Sequence, residues 1–131
     1  MRRYQQTKYY NKKVVVDGIE FDSKKEAERY RELCLLQKAG KITQLRLQVP
    51  FELVPNQYET VTVQLKTKTK EVEKLVERKI EYIADFVYVD LESHELVVED
   101  VKGYKMGGAY EVFKIKRKLM LKAYGIKVRE I

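Results

Sequence analysis

Two strand-like segments near the middle of the chain each carry a carboxylate, and the second is closely followed by a lysine. The first spans residues 82–86 (Tyr-Ile-Ala-Asp-Phe) and the second residues 97–103 (Val-Val-Glu-Asp-Val-Lys-Gly). Side chains two residues apart on a β-strand point to the same face, so Asp100 and Lys102 are predicted to face one site while Val101 packs the other way. One face of a sheet would then hold an acid and an ammonium group together.

These residue types suit the hydrolysis of a phosphodiester with a divalent cation. Mg²⁺ prefers oxygen ligands and usually takes one or two carboxylates, with water and substrate phosphate completing an octahedron. Asp85 and Asp100 can supply the carboxylates. Lys102 can orient the attacking water, help to deprotonate it or stabilise charge that builds on the phosphate. The spacing therefore predicts a site for Mg²⁺, with Mn²⁺ able to replace it.

Asp85 interrupts a run of apolar and aromatic residues at positions 80–89. Counted by twos, it lies on the apolar face of that strand, where a merely solvated acid is not expected. The residues sharing this face are Ile83, Val87 and Val89. A structural ion pair between Asp85 and Lys102 is the alternative, because Asp-x-Lys alone is a common pattern.

A third carboxylate, Glu26, lies in a helix predicted to begin after Ser23 and to run to about Ala39, with Gly40 ending it. Ser23 and Glu26 fit a capping box, Ser-x-x-Glu, which would explain both residues without catalysis. Glu26 also lies at the edge of an apolar stripe with helical spacing. The stripe contains Ala27, Tyr30, Leu33 and Cys34. If Glu26 faces inward, it can approach the two strand-borne acids and hold a water or a second cation.

Glu26 on the first helix, Asp85 in a Tyr-x-x-Asp-Phe strand and the Asp-Val-Lys-Gly segment at residues 100–103 together resemble the PD-(D/E)xK nuclease superfamily. The likeness covers about residues 14–131. Ala84 stands where that motif has its proline. The segments at residues 21–27 and 98–103 resemble a small phage-encoded branch that is similar to Holliday-junction resolvases.

The resemblance implies an α/β fold, in the sense of an α+β mixed sheet flanked by helices, with a restriction-endonuclease-like core. It implies that the metal is held by Glu26, Asp85, Asp100 and the carbonyl of Val101, and that Lys102 serves the attacking water. Because Asp100 fills the (D/E) position, Glu99 is predicted to be an outward neighbour and not a ligand. No Gln-x-x-x-Tyr follows Lys102, which argues against the exonuclease branch of the superfamily.

Positive charge is concentrated at both ends of the chain. Residues 1–13 carry five basic and no acidic side chains, and residues 102–131 carry nine basic and two acidic ones. Residues 14–101 carry 13 basic and 18 acidic side chains, so the middle of the chain is net negative. This distribution predicts that a polyanion such as DNA lies beside the site.

A terminal helix is predicted over about residues 109–124, with Gly125 ending it and a short strand at 126–131 after it. Its sheet-facing side chains are predicted to be Tyr110, Phe113, Leu119, Met120 and Ala123. A separate basic face recurs every four residues, which is tolerated more readily when phosphates lie against it. The predicted DNA contacts are Lys105, Lys114, Arg117, Lys118 and Lys122.

The remaining segments are predicted to form the framework of the fold and not the site. Residues 14–21 are predicted to form a hairpin with Asp-Gly at its turn, and residues 44–54 and 58–65 to form strands. The pattern at residues 66–79 suits a helix as well as a strand. The segment at residues 58–80 could protrude and serve in dimerisation or in gripping DNA, and residues 1–13 are predicted to be a flexible basic arm before one domain at 14–131.

The sequence thus predicts a Mg²⁺-dependent DNA endonuclease, most consistent with a homodimeric Holliday-junction or branched-DNA resolvase. Without an apolar run near eighteen residues or a signal peptide, it is expected to be cytoplasmic and not to contact a membrane. Cys34 is expected to pack, and His94 to lie in a polar turn without a metal role. Two alternatives stay open, a restriction-like, nicking or end-processing nuclease and a non-catalytic DNA-binding protein with the same fold.

Overall fold

A four-stranded mixed sheet with two helices forms the centre of the protein. The computed structural model describes residues 12–103 and 105–131. The elements are β1 (Val14–Val16), β2 (Ile19–Phe21), α1 (Lys24–Lys38), β3 (Ile42–Val54), β4 (Gln57–Gln64), β5 (Thr69–Glu77), β6 (Ile80–Asp90), β7 (Leu96–Asp100), α2 (Gly108–Tyr124) and β8 (Arg129–Glu130). The central sheet has the order β3-β6-β7-β8, with β7 and β8 parallel and the other neighbours antiparallel. The predicted fold class, a mixed sheet flanked by helices, is confirmed.

The two helices cover opposite faces of this sheet. Leu33 of α1 packs in one buried cluster with Phe86, whereas Phe113 of α2 packs in another with Val87. Phe86 and Val87 are consecutive residues of β6, so their side chains point to opposite sides. The sheet is therefore buried on both faces. A side chain at a point where a strand changes its packing face can be reached from either helix.

Several short sequence patterns form the turn and the helix ends that they predicted. Asp17 and Gly18 both have positive φ, 52° and 77°, which is the backbone of a two-residue turn that matches the twist of a hairpin. Ser23 caps α1, and its hydroxyl accepts from the Glu26 amide at 3.1 Å. Gly40 and Gly125 lie just beyond the two helices with φ of 75° and 70°. The predicted hairpin and helix ends are confirmed.

The terminal helix and the last strand differ from the prediction in detail. Phe113 and Met120 are buried as predicted, but Ala123 is exposed. The last turn instead directs Tyr124 toward β3, where its hydroxyl donates to the Glu52 carbonyl at 2.6 Å. The final strand is only β8, since residues 126–128 lead up to it without pairing as a strand.

Strand β6 changes its packing face at Asp85. Tyr82 and Ala84 pack in the cluster under α2, whereas Phe86 and Tyr88 pack in the cluster under α1. Regular alternation would put all four on one face. The prediction that Asp85 shares an apolar face throughout is therefore wrong: Val87 is fully buried, but Ile83 is 49% exposed.

The neighbouring strand β3 changes face at the same level. Leu47 packs on the α1 side and Val49 on the α2 side, although they are two residues apart. Gln48 lies between them with φ of 51°, a left-handed conformation that is uncommon for a residue other than glycine. The register places Gln48 opposite Asp85. At this break in the regular alternation, the polar side chains of Gln48 and Asp85 lie in the middle of an otherwise apolar sheet.

Candidate active site

The three predicted carboxylates meet where α1, β6 and β7 come together. The side-chain amide of Gln48 links two of them, because its Nε2 donates to Glu26 Oε1 and to Asp85 Oδ1, each at 3.2 Å. The Val101 amide donates to Asp85 Oδ2 at 2.8 Å, which ties β6 to the residue that follows Asp100. Glu26 and Asp100 are both buried. Acids that are far apart in sequence are thus brought to one site.

Asp100 and Lys102 face the same side, as the spacing predicted. Lys102 Nζ lies 2.8 Å from Asp100 Oδ1, and the Tyr82 hydroxyl donates to Asp100 Oδ2 at 2.7 Å. The ammonium also lies 3.9 Å from the centre of the Phe113 ring. The ion pair of this lysine is therefore with Asp100 and not with Asp85, and the ring holds the amine in a cation–π contact.

The site carries more negative charge than its lysine balances. Burial, and then repulsion from Asp85, Asp22 and Asp100, raises the pKa of Glu26 from 4.5 to about 7. Burial also raises the pKa of Asp85, with a further contribution from Asp100, although the hydrogen bond from the Val101 amide opposes it. Carboxylates that raise one another's pKa in this way attract a cation.

The donor set fits a hard divalent cation that shares its coordination with a substrate. Within residues 12–103 and 105–131, no group of three or more His, Cys, Asp and Glu side chains is arranged to hold a metal ion. Mg²⁺ does not require such a group, since it keeps several waters and commonly binds through one or two carboxylates and substrate phosphates. Asp85 and Asp100, with Glu26 beside them, are the groups that would hold it, and the Val101 carbonyl stays a predicted ligand.

Glu99 is the predicted residue that the structure places differently. It is fully buried, because α1 covers the face of β7 opposite to Asp100. The guanidinium of Arg29 binds it with two bonds, Nε to Oε1 at 2.8 Å and Nη2 to Oε2 at 2.6 Å, and the Tyr88 hydroxyl also donates to it. The prediction that Glu99 faces outward is wrong, although it does point away from the other acids.

This ion pair connects the two elements that carry the site. Arg29 lies one helical turn after Glu26 on α1, and Glu99 is next to Asp100 on β7. The hydrogen bonds to Glu99 raise the pKa of Arg29, so the guanidinium stays charged. The pair therefore fixes the distance between the helix-borne and the strand-borne carboxylate.

Three side chains at the site were not predicted from the sequence. Gln48 and Tyr82 hold the acids, and Lys116 lines a shallow depression together with Asp100 and Lys102. Lys116 was not predicted because it does not belong to the four-residue spacing of Lys114, Lys118 and Lys122, which indicates a different face of α2. No sequence signal marks Gln48, since nothing in its neighbours indicates a left-handed residue within a strand.

Two of the five basic residues predicted to contact DNA form ion pairs with acidic side chains. Lys114 pairs with Glu111 at 2.9 Å, and Arg117 pairs with Glu130 at 3.4 Å. The remaining three, Lys105, Lys118 and Lys122, are exposed. Of the predicted basic arm, residues 1–11 lie outside the described part of the chain, and Lys13 pairs with Glu20 at 3.1 Å.

Without metal, Glu26→Gln is expected to stabilise the protein at pH 8 but not at pH 4.5. The folded state raises the pKa of this acid from 4.5 to about 7, so folding disfavours the ionised form. As the pH rises from 4.5 to 7, the free energy of unfolding of the wild-type protein therefore falls. Above pH 7 the full loss is about 3 kcal/mol. Urea unfolding in EDTA at both pH values measures the difference.

Ser23→Ala is the control for this effect. It removes the hydroxyl that accepts from the Glu26 amide, and loss of such a cap costs about 1 kcal/mol regardless of pH in this range. A stability difference between wild type and Glu26→Gln that does not change with pH would show that neither burial nor repulsion raises the pKa of this acid.

Fold and site together define an α/β protein with a group of carboxylates and one lysine at a break in its central sheet. The chain belongs to the family DUF1064, described as a protein of unknown function, whose model matches residues 6–130. No curated protein and no solved structure matches the chain. In the described part of the chain, no helix is long and apolar enough to cross a membrane.

Proposed function

We propose that the protein is a DNA endonuclease that depends on a divalent metal ion. The observation that carries this proposal is the convergence of Glu26, Asp85 and Asp100 from three different elements beside Lys102. Buried acids that repel one another lower stability, so a fold that keeps them together without a function is not expected. The PD-(D/E)xK resemblance in the sequence names the same four residues.

The chain's own groups suit the hydrolysis of a phosphodiester. A bound Mg²⁺ would polarise the phosphate and lower the pKa of a water molecule. Lys102, whose amine is held by Asp100 and Phe113, is placed to orient that water or to donate to a phosphate oxygen. In the metal-free protein burial raises the pKa of Glu26 to about 7, and a cation bound beside it would favour the ionised form, which would hold a water molecule. Tyr82 keeps Asp100 oriented throughout.

The charge of the chain favours a nucleic acid as substrate. Lys116 lines the depression at the site, and the exposed Lys105, Lys118 and Lys122 extend the positive surface along and before α2. Among the described residues, 12–103 and 105–131, no element resembles a sequence reader such as a zinc finger, so recognition by DNA shape is favoured. Symmetric cutting of two strands of a junction requires two sites, which a twofold homodimer would supply.

Cleavage of a panel of labelled DNAs in Mg²⁺ tests this function. Linear duplex, flap, replication-fork and four-way-junction DNAs of equal length should be cut, with the branched forms cut fastest. Equal cutting of all forms would instead indicate a nicking, restriction-like or end-processing nuclease. Binding without cleavage of any form, in Mg²⁺ or Mn²⁺, would contradict the proposed activity and indicate a DNA-binding protein.

Lys102→Ala is expected to reduce cleavage much more than DNA binding. One lysine is a small share of a basic surface, whereas the attacking water would lose the amine that orients it. Single-turnover cleavage at saturating protein should fall by about 100-fold or more, the usual range for a residue that transfers or orients a proton. Lys127→Ala, which removes an exposed lysine outside the predicted DNA contacts, is the control and should cut nearly normally. A loss of DNA affinity with an unchanged rate of single-turnover cleavage would show that Lys102 binds DNA and does not act on the attacking water.

A further inference from the structure

Strands β4 and β5 form a hairpin that extends away from the central sheet. They pair with each other in continuous register from Tyr58 opposite Leu75 to Gln64 opposite Thr69, and form a sheet of their own. A tight turn closes the end, where the Leu65 amide donates to the Lys68 carbonyl at 2.8 Å. Within the two strands every residue is exposed except Val61 and Val72, which are half-buried against each other. An isolated ribbon of this kind is marginal in water and is usually kept for contact with a partner.

The register separates the charges of the hairpin onto two faces. Residues directly opposite each other in an antiparallel pair share a face. One face carries Lys68, Lys70 and Lys74 with a single acid, Glu59. The other face carries Glu71 and Glu73, and its one basic residue between positions 58 and 75 is Lys66 in the turn. The hairpin therefore has one basic and one acidic side.

We propose that this hairpin is a DNA-binding arm whose basic face lies along duplex DNA beside the cleavage site, an inference that rests on the proposed function. A two-stranded ribbon has the width that the major groove of B-DNA admits. The three lysines would contact phosphates, and the side chains between them, Val61, Val63 and Val72, are short enough to let the ribbon approach the groove. The acidic face of the hairpin cannot meet a polyanion, so only one orientation of the arm is allowed.

The arm is long enough to bind DNA well outside the cleavage site. At its base, the Lys79 amide donates to Asn56 Oδ1 at 2.6 Å, which joins the two connections that lead to β3 and β6. At about 3.3 Å per residue, Lys74 lies at most about 35 Å and Lys68 at most about 55 Å from Asp85 along the strands. One turn of B-DNA is about 34 Å, so the contact of Lys74 lies at most about one turn and that of Lys68 at most about one and a half turns from the cut. The arm would therefore need up to about 16 base pairs of duplex on one side of the cut.

A triple variant, Lys68→Gln with Lys70→Gln and Lys74→Gln, tests the arm. The matched control is Lys38→Gln with Lys41→Gln and Lys127→Gln, three exposed lysines near the opposite end of the sheet that change the net charge equally. Binding to a labelled 40-base-pair duplex is measured by fluorescence anisotropy in EDTA, as a function of salt. The arm variant should lose about tenfold or more in affinity, and its salt slope should fall by about three, while the control binds like wild type.

The dependence on DNA length provides a second readout. Wild-type affinity should rise as the duplex is lengthened from about 10 to about 30 base pairs, and the arm variant should lose this rise. Equal binding by the arm and control variants would overturn the proposal, as would tighter binding of double-stranded RNA of the same length. A wild-type dimer that becomes a monomer in the arm variant on sedimentation would also overturn it, because the face would then be a contact between two copies.

Failure of the arm and failure of the nuclease are distinguishable. If wild type binds the duplex through the arm but cuts no DNA with metal, the arm is supported and the catalytic proposal fails. If wild type cuts DNA and the arm variant binds and cuts with the same length dependence, the arm is refuted and the catalytic proposal stands.

Discussion

Asp100→Asn is expected to abolish DNA cleavage in Mg²⁺ while DNA binding is retained or becomes tighter. The change removes one of the two strand-borne charges that would hold the ion, and it also removes the ion pair with Lys102. The amide oxygen can still accept from the Tyr82 hydroxyl, so the fold should persist. Losing even a residue that only supports a metal ligand costs up to about 100-fold, so the loss of cleavage should exceed that. Less repulsion of phosphate explains the tighter binding.

Single-turnover cleavage and anisotropy with the same labelled DNA measure both effects. The control is Asp90→Asn at the end of the neighbouring strand β6, where the carboxylate accepts from the Glu92 and Ser93 amides and an amide oxygen can replace it. Cleavage by Asp100→Asn at the wild-type rate would exclude Asp100 as a ligand.

The second large effect is on stability and concerns the ion pair behind the site. Arg29→Met should lower the free energy of unfolding by about 3 to 5 kcal/mol, because Glu99 is fully buried and would be left without its charge partner. Adding Glu99→Leu to the first change should recover much of this loss, since the unpaired charge is then gone. Urea unfolding at pH 7 measures the three proteins.

The control for this prediction is an exposed ion pair of the same protein. Glu20, more than half exposed, pairs with Lys13, so Glu20→Gln should change stability by less than about 1 kcal/mol. A similarly small loss for Arg29→Met would show that the buried pair does not hold α1 to β7. A variant that keeps most of its stability but cuts slowly would show instead that the pair serves mainly to position Glu26.

Much of the site follows from short-range rules. The two-residue period of a strand correctly put Asp100 and Lys102 on one face, and the Ser-x-x-Glu pattern correctly began α1 at Ser23. The Asp-Gly pair predicted its hairpin because both residues tolerate positive φ. These features depend on residues within a few positions of one another, which is why the sequence alone was sufficient.

The features that were missed depend on distant parts of the chain. The change of face at Asp85 arises with the left-handed backbone of Gln48 on another strand. Glu99 was expected outside because Asp100 fills the acidic position of the motif, and the partner that allows Glu99 to be buried, Arg29, lies 70 residues away. The segment at residues 66–79 was ambiguous because the hairpin is exposed on both faces, and burial therefore leaves no clear period in its sequence.

Metal-dependent nicking of supercoiled DNA by the wild-type protein tests the proposed nuclease activity most directly. The protein and the Asp100→Asn variant are purified identically and incubated with the plasmid in Mg²⁺, in Mn²⁺ and in EDTA. Relaxed and linear DNA should form with wild type in either metal, and neither should form in EDTA or with the variant. Intact plasmid in every condition, or equal nicking by both proteins, would contradict the assignment of Glu26, Asp85, Asp100 and Lys102 as a nuclease site.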